Sequence, residues 1–175
     1  MRQILIGPLL LLLTGYGYAW NAVGHQLIAQ IAYDNLNPAA KRLCNQYLHA
    51  YTKKAAPYDF IISSTWLDML KRKRIHRYDA LHYIDIPFSQ DGTKLPAIAK
   101  PNALSKMQQA IKVLSSKKTS YYSKGLNLRI LIHIVGDIHQ PLHTTTQVSK
   151  RFPHGDLGGN LFILSANPNG KNLHK

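Results

Sequence analysis

The chain has 175 residues, which is enough for one domain with a sizeable apolar core. Its 22 lysines and arginines outnumber 8 acidic residues, and the resulting formal charge of +14 favours polyanionic partners: nucleic acid, phosphorylated substrates or anionic membranes. The single cysteine, Cys44, excludes a disulfide within the chain, and the acidic residues are all aspartates, which excludes the glutamate-based zinc protease motif.

Residues 1–19 have the pattern of a secretory signal peptide. A basic start at Arg2 precedes an apolar run at residues 4–13, and small residues precede the expected cleavage after Ala19. The run is too short to span a membrane. We therefore expect a secreted or periplasmic protein without stable membrane insertion, whose mature domain of residues 20–175 begins with Trp20; a retained anchor is the alternative.

Apolar periodicity and stop signals predict five helices, at about residues 22–35, 37–51, 60–74, 102–116 and 127–140. The second helix opens on Asn37-Pro38, a cap residue followed by the proline that fits a first helical turn. The fifth helix is the most apolar and ends before Pro141, which cannot continue a helix. We expect Cys44, in the second helix, to be a small core residue.

The remaining segments predict little regular structure. Residues 81–86 are predicted to be extended, with His82 on one side of the chain and Tyr83 on the other. After a glycine-rich loop, residues 161–164 read as a short strand and residues 167–170 as a turn, which predicts a small β hairpin near the C-terminus. The fold prediction is therefore all-α: a single, mostly helical domain.

His133 and Asp137 give the strongest chemical signal, near the end of the fifth helix. Being four residues apart, both side chains project from one helix face, among apolar neighbours. A charged aspartate there is costly unless it is paired or ligates a cation, and histidine and aspartate are zinc ligand types. His143 follows just after the proline, whereas His139 lies off the His133 face and is interpreted as a non-ligand. A hydrogen-bonded core pair is the alternative for His133 and Asp137.

Other segments repeat these residue types, and six motifs occur along the chain. In chain order they are Trp20 to His25, Ser64 to Asp68, His82 to Asp85, His133-x3-Asp137-x5-His143, Gly158-Gly159-Asn160 and Asn172-Leu173-His174. A lone histidine or aspartate would be weak evidence, but this set resembles the single-strand-specific zinc nucleases of fungi, plants and bacteria, the S1/P1 type. That family is related to zinc-dependent phospholipase C. The resemblance covers the chain from Trp20 to its last residue.

The resemblance implies a site for three zinc ions. The first ion would be held by Asp68, His82, His133 and Asp137. The second would be held by the amine and carbonyl of Trp20, by His25, and by Asp137 as a bridging ligand.

The third zinc ion would be held by His143 and His174, with a further aspartate a few residues later. The sequence ends one residue after His174, so it lacks this aspartate and the C-terminal half of the family's fold. We therefore expect a C-terminally truncated member of the family.

The resemblance also implies a hydrolase that cleaves single-stranded DNA or RNA to 5′-phosphorylated products by metal-activated hydroxide attack on phosphorus. Activity as a 3′-nucleotidase and a monomeric state are expected with it. Asp68 would ligate zinc and orient the nucleophile, while Lys71 would contact the phosphate. Tyr83 and Asp85 would bind the base, and Asn160 would lie near the scissile phosphate.

Two other functions stay open. A zinc phospholipase C would share the N-terminal tryptophan and the helix of His133 and Asp137, and a truncated remnant would bind zinc or nucleic acid without catalysis. Lys71 begins a basic run, residues 71–74, whose other three members we interpret as a solvated face. His154 and Asp156, in the glycine-rich loop, are predicted to be surface residues.

Overall fold

The computed structural model describes residues 21–52, 59–165 and 170–174; Trp20, the signal-peptide segment and most of the predicted turn at 167–170 lie outside them. The helices are α1 (Ala22–Asn35), α2 (Pro38–Tyr51), α3 (Phe60–Ser63), α4 (Trp66–Arg72), α5 (Ala103–Ser115) and α6 (Tyr121–Ile138). The strands are β1 (Ile86–Ser89) and β2 (Thr145–Val148), and single 3-10 turns cover Asp79–Leu81 and Pro141–His143. The predicted all-α class is confirmed.

Local side-chain caps explain where the longer helices begin. Asn37 accepts a hydrogen bond from the Ala40 amide at 2.8 Å, directly before Pro38. Ser120 caps α6 and accepts from the Ser123 amide, so this helix begins six residues before the predicted Asn127. The first turns of α6 are polar and therefore carry no apolar periodicity that would have revealed them.

Helix α6 is the centre of the described fold and contacts each of the helices α1 to α5. Its buried apolar side chains divide between two clusters. In the first cluster, Leu128 and Ile132 pack with Ala29, Leu48 and Phe60. In the second cluster, Ile130 and Ile134 pack with Trp66, Leu67, Leu81 and Ala103. A helix buried on opposite sides reads as apolar all round, as the sequence of α6 does. At Gly125 a Cβ atom would lie 2.1 Å from the Tyr47 carbonyl oxygen, so α2 approaches closely only because that residue is glycine.

Three large apolar residues of α1 lie outside its buried side. Val23, Leu27 and Ile31 are 69%, 57% and 53% exposed, whereas His25 and Ala29 are buried. The side of α1 that carries His25 therefore faces α6, which brings an imidazole rather than an aliphatic stripe into the interior.

The predicted third helix, residues 60–74, is wrong as a continuous element because α3 and α4 are separate. Ser64 and Thr65 break it, and their hydroxyls donate hydrogen bonds to the carbonyls of Ile61 and Ile62. The break leaves the Ser64 carbonyl available to His133 of α6, which donates its Nδ1–H to it.

Residues 81–86 were predicted to be extended, but the structure shows that only part of this segment is. The chain passes through a 3-10 turn, Asp85 has a left-handed φ of 49°, and regular pairing begins only at Ile86. The predicted alternation of sides nevertheless holds, because His82 is buried and Tyr83 is 42% exposed.

The β structure also differs from the predicted hairpin. Strands β1 and β2 pair in parallel, from Ile86 with Thr145 to Ser89 with Val148, and β2 was not predicted. Within residues 161–165 and 170–174, the C-terminal segments form one antiparallel bridge, between Ile163 and Asn172. In the part of the chain that is described, no helix has both the length and the apolar character needed to cross a membrane.

Candidate metal centre

Six of the predicted metal ligands lie together at the C-terminal end of α6. They come from α1, α4, α6, the residue after the first 3-10 turn and the end of the second one. They are His25, Asp68, His82, His133, Asp137 and His143. The orientation of α1 places His25 in this group, and the break between α3 and α4 places Asp68 there. Segments that are far apart in sequence therefore supply one cluster.

Four atoms of this cluster have the spacing of a four-coordinate metal site: Asp68 Oδ1, His82 Nδ1, His133 Nε2 and Asp137 Oδ2. The two histidine nitrogens are 3.0 Å apart, and each lies 3.1 Å from Asp137 Oδ2. Asp68 Oδ1 lies 3.9 Å from His82 Nδ1 and 4.0 Å from His133 Nε2. A tetrahedron with metal–ligand bonds of about 2.0–2.1 Å has edges of about 3.3–3.4 Å. The observed separations bracket that length, so these donors fit a divalent metal ion.

The second oxygen of each carboxylate faces the other side of the cluster. Asp137 Oδ1 lies 3.3 Å from His25 Nε2 and 3.2 Å from His143 Nδ1, and Asp68 Oδ2 lies 3.7 Å from His25 Nε2. Asp137 therefore stands between two groups of donors, as a bridging ligand must. Asn21, the residue after Trp20, caps α1 and lines the cleft beside His25.

Two contacts fix the orientation of the imidazoles. A carbonyl can only accept, so the bond from His133 Nδ1–H to Ser64 leaves the lone pair of Nε2 facing the carboxylates. The His25 ring stacks on the His133 ring, with centroids 4.1 Å apart. A Cβ atom on Gly136 would lie 2.5 Å from His25 Nδ1, so glycine is required for the His25 ring to occupy its place.

Burial makes this cluster costly without a cation. His25, His133 and Asp137 are at most 1% exposed. Burial alone raises the pKa of Asp137, but the surrounding imidazoles hold that pKa well below 3.8. Burial lowers the pKa of His133, but the carboxylates of Asp137 and Asp68 outweigh it and raise that pKa above 6.5.

The hydrogen bonding within the cluster is incomplete. Within the described residues, the buried atoms Asp137 Oδ2 and His143 Nδ1 make no hydrogen bond of acceptable geometry, although imidazole and carboxylate atoms lie close to them. Orphaned buried lone pairs of this kind are costly. A bound metal ion would satisfy both, so the donor set fits a metal better than it fits a closed network of hydrogen bonds.

His143 and His174, the predicted ligands of the third ion, lie side by side with ring centroids 5.0 Å apart. His174 Nδ1 donates to the Gly158 carbonyl at 2.7 Å. Gly158 in turn lies so close to Leu142 that a Cβ atom would be 2.1 Å from the Leu142 carbonyl oxygen. The glycine-rich loop thus holds the two imidazoles together.

The cluster opens into a cleft of about 970 Å³, whose walls carry the other predicted site residues. Lys71 lies one helical turn after Asp68, and Tyr83 exposes its ring beside the entrance. Burial and the nearby Asp156 raise the pKa of Asp85, and His143 partly offsets this. The structure therefore brings the predicted ligands and the predicted substrate-binding residues of the described chain into one cleft; their roles stay predictions.

Comparison with known proteins decides the family. The family model described as S1/P1 Nuclease matches residues 20–175, nearly the whole chain. The chain belongs to the S1/P1 nuclease family. The family prediction is therefore confirmed.

Curated relatives are similar over nearly the whole of this chain. It is 27% identical to Endonuclease 2 of Arabidopsis thaliana, over 90% of this chain and 54% of that relative. It is 27% identical to Endonuclease 1 of the same plant, over 98% and 56%, and 24% identical to Nuclease S1 of Aspergillus oryzae, over 99% and 58%. The chain thus spans little more than half the length of these curated relatives.

Three features of this candidate site and its surroundings were not predicted from the sequence. Asp156 is not a surface residue as predicted: it is 4% exposed and accepts hydrogen bonds from the Thr146 hydroxyl at 3.1 Å and the Gln147 amide at 2.9 Å. No sequence pattern could have identified the Ser64 carbonyl as the partner of His133, because every residue has a backbone carbonyl. Gly136 does have one, since glycine inside an apolar helix is unfavourable and calls for a packing reason.

The residues predicted to lie outside the cluster are placed accordingly. His139 is exposed and its Nδ1–H donates to the Val135 carbonyl within its own helix. His154 is exposed, and Cys44 is half-buried against the apolar cluster that contains Leu48.

Proposed function

We propose that this protein is a zinc-dependent nuclease that hydrolyses phosphodiester bonds of single-stranded DNA or RNA. The observation that carries the proposal is the tetrahedral spacing of Asp68, His82, His133 and Asp137 at the base of a cleft. Membership of the S1/P1 nuclease family and the relatives named as endonucleases and a nuclease support it.

The donor chemistry favours zinc. Imidazole nitrogens together with carboxylate oxygens in a four-coordinate arrangement suit zinc, whereas magnesium and calcium prefer oxygen ligands alone. His25 with Trp20, and His143 with His174, would hold the second and third ions. When bound, zinc ions supply a Lewis acid for the phosphate oxygens and bring the pKa of water toward about 7.

The chain's own residues would bind and orient the reactants. Asp68, whose side chain is 36% exposed, is accessible enough to accept a hydrogen bond from the attacking water at the cleft wall. Lys71 would hold the phosphate, and Asn160 would stand beside it from the opposite loop. Displacement of the 3′ oxygen would leave 5′-phosphorylated products and would also give 3′-nucleotidase activity.

The preference for single strands would come from Tyr83. Its exposed ring offers a face for stacking, which any base can use but only when it is not already stacked and paired in a duplex. Asp85, two residues on, would accept hydrogen bonds from the edge of that base. The signal-peptide pattern supports a secreted or periplasmic protein that acts on nucleic acid outside the cytoplasm, and we propose that it acts as a monomer.

The test compares His133 of α6 with His139, the residue that follows this helix. It measures zinc by mass spectrometry and the hydrolysis of denatured DNA, duplex DNA, a 3′-nucleotide and a choline phospholipid. His133→Gln removes a cluster ligand and should lower zinc content and reduce cleavage of denatured DNA by about 10³-fold or more. His139→Gln changes the exposed histidine at the same helix end and should leave both unchanged.

Each departure from that result has a meaning. Hydrolysis of the lipid alone would assign the cleft to a zinc phospholipase C. Bound zinc without any hydrolysis would indicate a binding remnant. Equal effects of the two histidine variants would remove the cluster from the mechanism and overturn the proposal.

A further inference from the structure

A basic segment continues outward from one wall of the cleft. Residues 71–77 are all exposed, and five of the seven are lysine or arginine. Lys71 and Arg72 line the cleft, and Lys73, Arg74 and Arg77 follow beyond it. In the described part of the chain, no ion pair joins an aspartate to these five side chains, and the neighbouring Asp79 contacts His76 at 2.9 Å instead. This surface therefore keeps its positive charge.

The backbone at Arg74 gives a second, independent observation. The end of α4 is closed by hydrogen bonds from the Arg74 amide to the Lys71 carbonyl, at 2.9 Å, and from the Ile75 amide to the Leu70 carbonyl, at 3.0 Å. Such a cap requires a left-handed residue, and Arg74 has a φ of 60°. Glycine adopts that conformation at lower cost, so an arginine here sacrifices stability for its side chain.

We propose that Lys73, Arg74 and Arg77, which continue outward from Arg72 at the cleft wall, form a strand-binding extension that holds phosphates of a single-stranded polynucleotide outside the cleft. The inference rests on the proposed function, because the polynucleotide bound by the extension is the substrate whose scissile phosphate would lie beside Lys71. Guanidinium groups bind phosphates in a bidentate manner. Each lysine or arginine that neutralises a phosphate of the nucleic acid also releases a counterion from it, which favours binding. The extension would make the protein favour polymers over mononucleotides.

A nucleic acid strand fits this surface better than an anionic membrane does. The extension is continuous with a deep cleft, which a strand can enter and a bilayer surface cannot. Its one aliphatic residue, Ile75, is 40% exposed, which is too little apolar surface to anchor a peripheral membrane site.

The experiment measures binding without turnover. Fluorescence anisotropy would give the affinity of the metal-loaded protein for phosphorothioate oligothymidylates of about 4 and about 20 nucleotides, across a range of salt concentrations. Such oligomers keep the backbone charge, resist hydrolysis and do not pair. The variant is Lys73→Gln with Arg74→Gln, and the matched control is Lys117→Gln with Lys118→Gln, which removes the same charge from exposed residues after α5.

In the extension variant, the gain in affinity from the short to the long oligomer should shrink. The slope of log K against log salt should fall by about 1.4, because each of two lost phosphate contacts contributes about 0.7. The control should behave as the unmodified protein does. Equal behaviour of the two variants would overturn the extension, as would unchanged oligomer affinity with lost binding to vesicles containing phosphatidylglycerol.

Arg74 allows a sharper test, because replacing it removes a charge that should favour binding and can also relieve backbone strain that lowers stability. Arg74→Gly should raise the melting temperature and still weaken binding of the long oligomer, whereas Arg74→Lys should keep that binding. Full affinity in Arg74→Gly would rule out a phosphate contact at this residue.

The binding result is separable from the proposed function. Length-dependent binding that is sensitive to the variant, in a protein that cleaves no DNA, would keep the extension and remove the nuclease. If the protein cleaves DNA and its binding of the long oligomer is the same in the extension variant, the nuclease proposal stands and the extension is overturned.

Discussion

Two buried carboxylates near the cleft are stabilised in different ways. Asp137 belongs to the helical wall, formed by the end of α6, and Asp156 belongs to the glycine-rich loop whose residues Leu157 and Asn160 line the cleft, here called the loop wall. In the helical wall, Asp137 is surrounded by imidazoles, and one of its oxygens makes no hydrogen bond of acceptable geometry within the described residues. In the loop wall, Asp156 accepts from a hydroxyl and an amide of β2, at Thr146 and Gln147. Both carboxylates are at least 96% buried.

The difference shows which buried polar groups need a ligand. A buried carboxylate is costly unless donors satisfy it, and the loop wall supplies N–H and O–H donors from the chain itself. The helical wall supplies mostly lone pairs, which repel one another unless protons or a cation stand between them. We therefore expect metal to stabilise the helical wall and to leave the loop wall unaffected.

Among variants that keep every predicted ligand, the largest expected effect on the metal comes from Gly136→Ala in the helical wall. The new Cβ atom would lie 2.5 Å from His25 Nδ1, so the His25 ring must move away from Asp137. Displacing an oriented ligand should weaken zinc affinity by about 10- to 100-fold, and overpacking should cost about 1–3 kcal/mol. Competition with a chelating dye and urea denaturation would measure the two effects.

Gly125→Ala, at the other end of the same helix, is the control. Its Cβ atom would lie 2.1 Å from the backbone oxygen of Tyr47, which cannot rotate away as a side chain can. We expect a larger loss of unfolding free energy than for Gly136→Ala, with the zinc affinity of the folded protein unchanged. Equal loss of zinc in both variants would mean that the helical wall responds to packing alone.

The next effect tests the loop wall. Asp156→Ala leaves the Thr146 hydroxyl and the Gln147 amide without their acceptor, which should cost about 1–3 kcal/mol of unfolding free energy. Asp156→Asn keeps an acceptor oxygen and should recover most of that loss. Urea denaturation with zinc and with chelator should give the same difference. A cost that changes on chelation would show that the two walls are coupled.

Sequence reasoning succeeded where the cause of structure is local. The start of α2 follows from Asn37 and Pro38 alone, whose cap geometry needs no distant partner. The break between α3 and α4 could not be predicted in this way. It serves the hydrogen bond from His133, which lies 69 residues further along the chain.

The same division applies to the site. The spacing of His133 and Asp137 within a helix indicated a ligand pair without any tertiary information. His25, Asp68 and His82 became informative only through their order along the chain, because nothing local separates a ligand from an ordinary buried side chain. Asp156 was misplaced on the surface because its donors belong to β2, a strand with no recognisable apolar pattern.

The smallest expected effect concerns Asp91, an exposed carboxylate at the end of β1. The Thr93 hydroxyl and amide, the Lys150 amide and the Ser89 hydroxyl all donate to it, and this hydrogen bonding holds its pKa far below 3.8. A pKa lowered by folding adds stability above the unfolded value, and that stability is lost as the pH falls below about 4. Asp91→Asn should therefore be less stable than the unmodified protein near pH 7, and the difference should shrink below about pH 4.

Urea denaturation at several pH values would measure that difference, with and without chelator. Because Asp91 holds the ends of β1 and β2 by the chain's own donors, removing metal should not change the pH dependence. A difference that stays constant down to about pH 3 would assign the stabilisation to hydrogen-bond geometry rather than to charge. A difference that disappears on chelation would place this exposed end of the sheet under the control of the metal, and the contrast between the two walls would then fail.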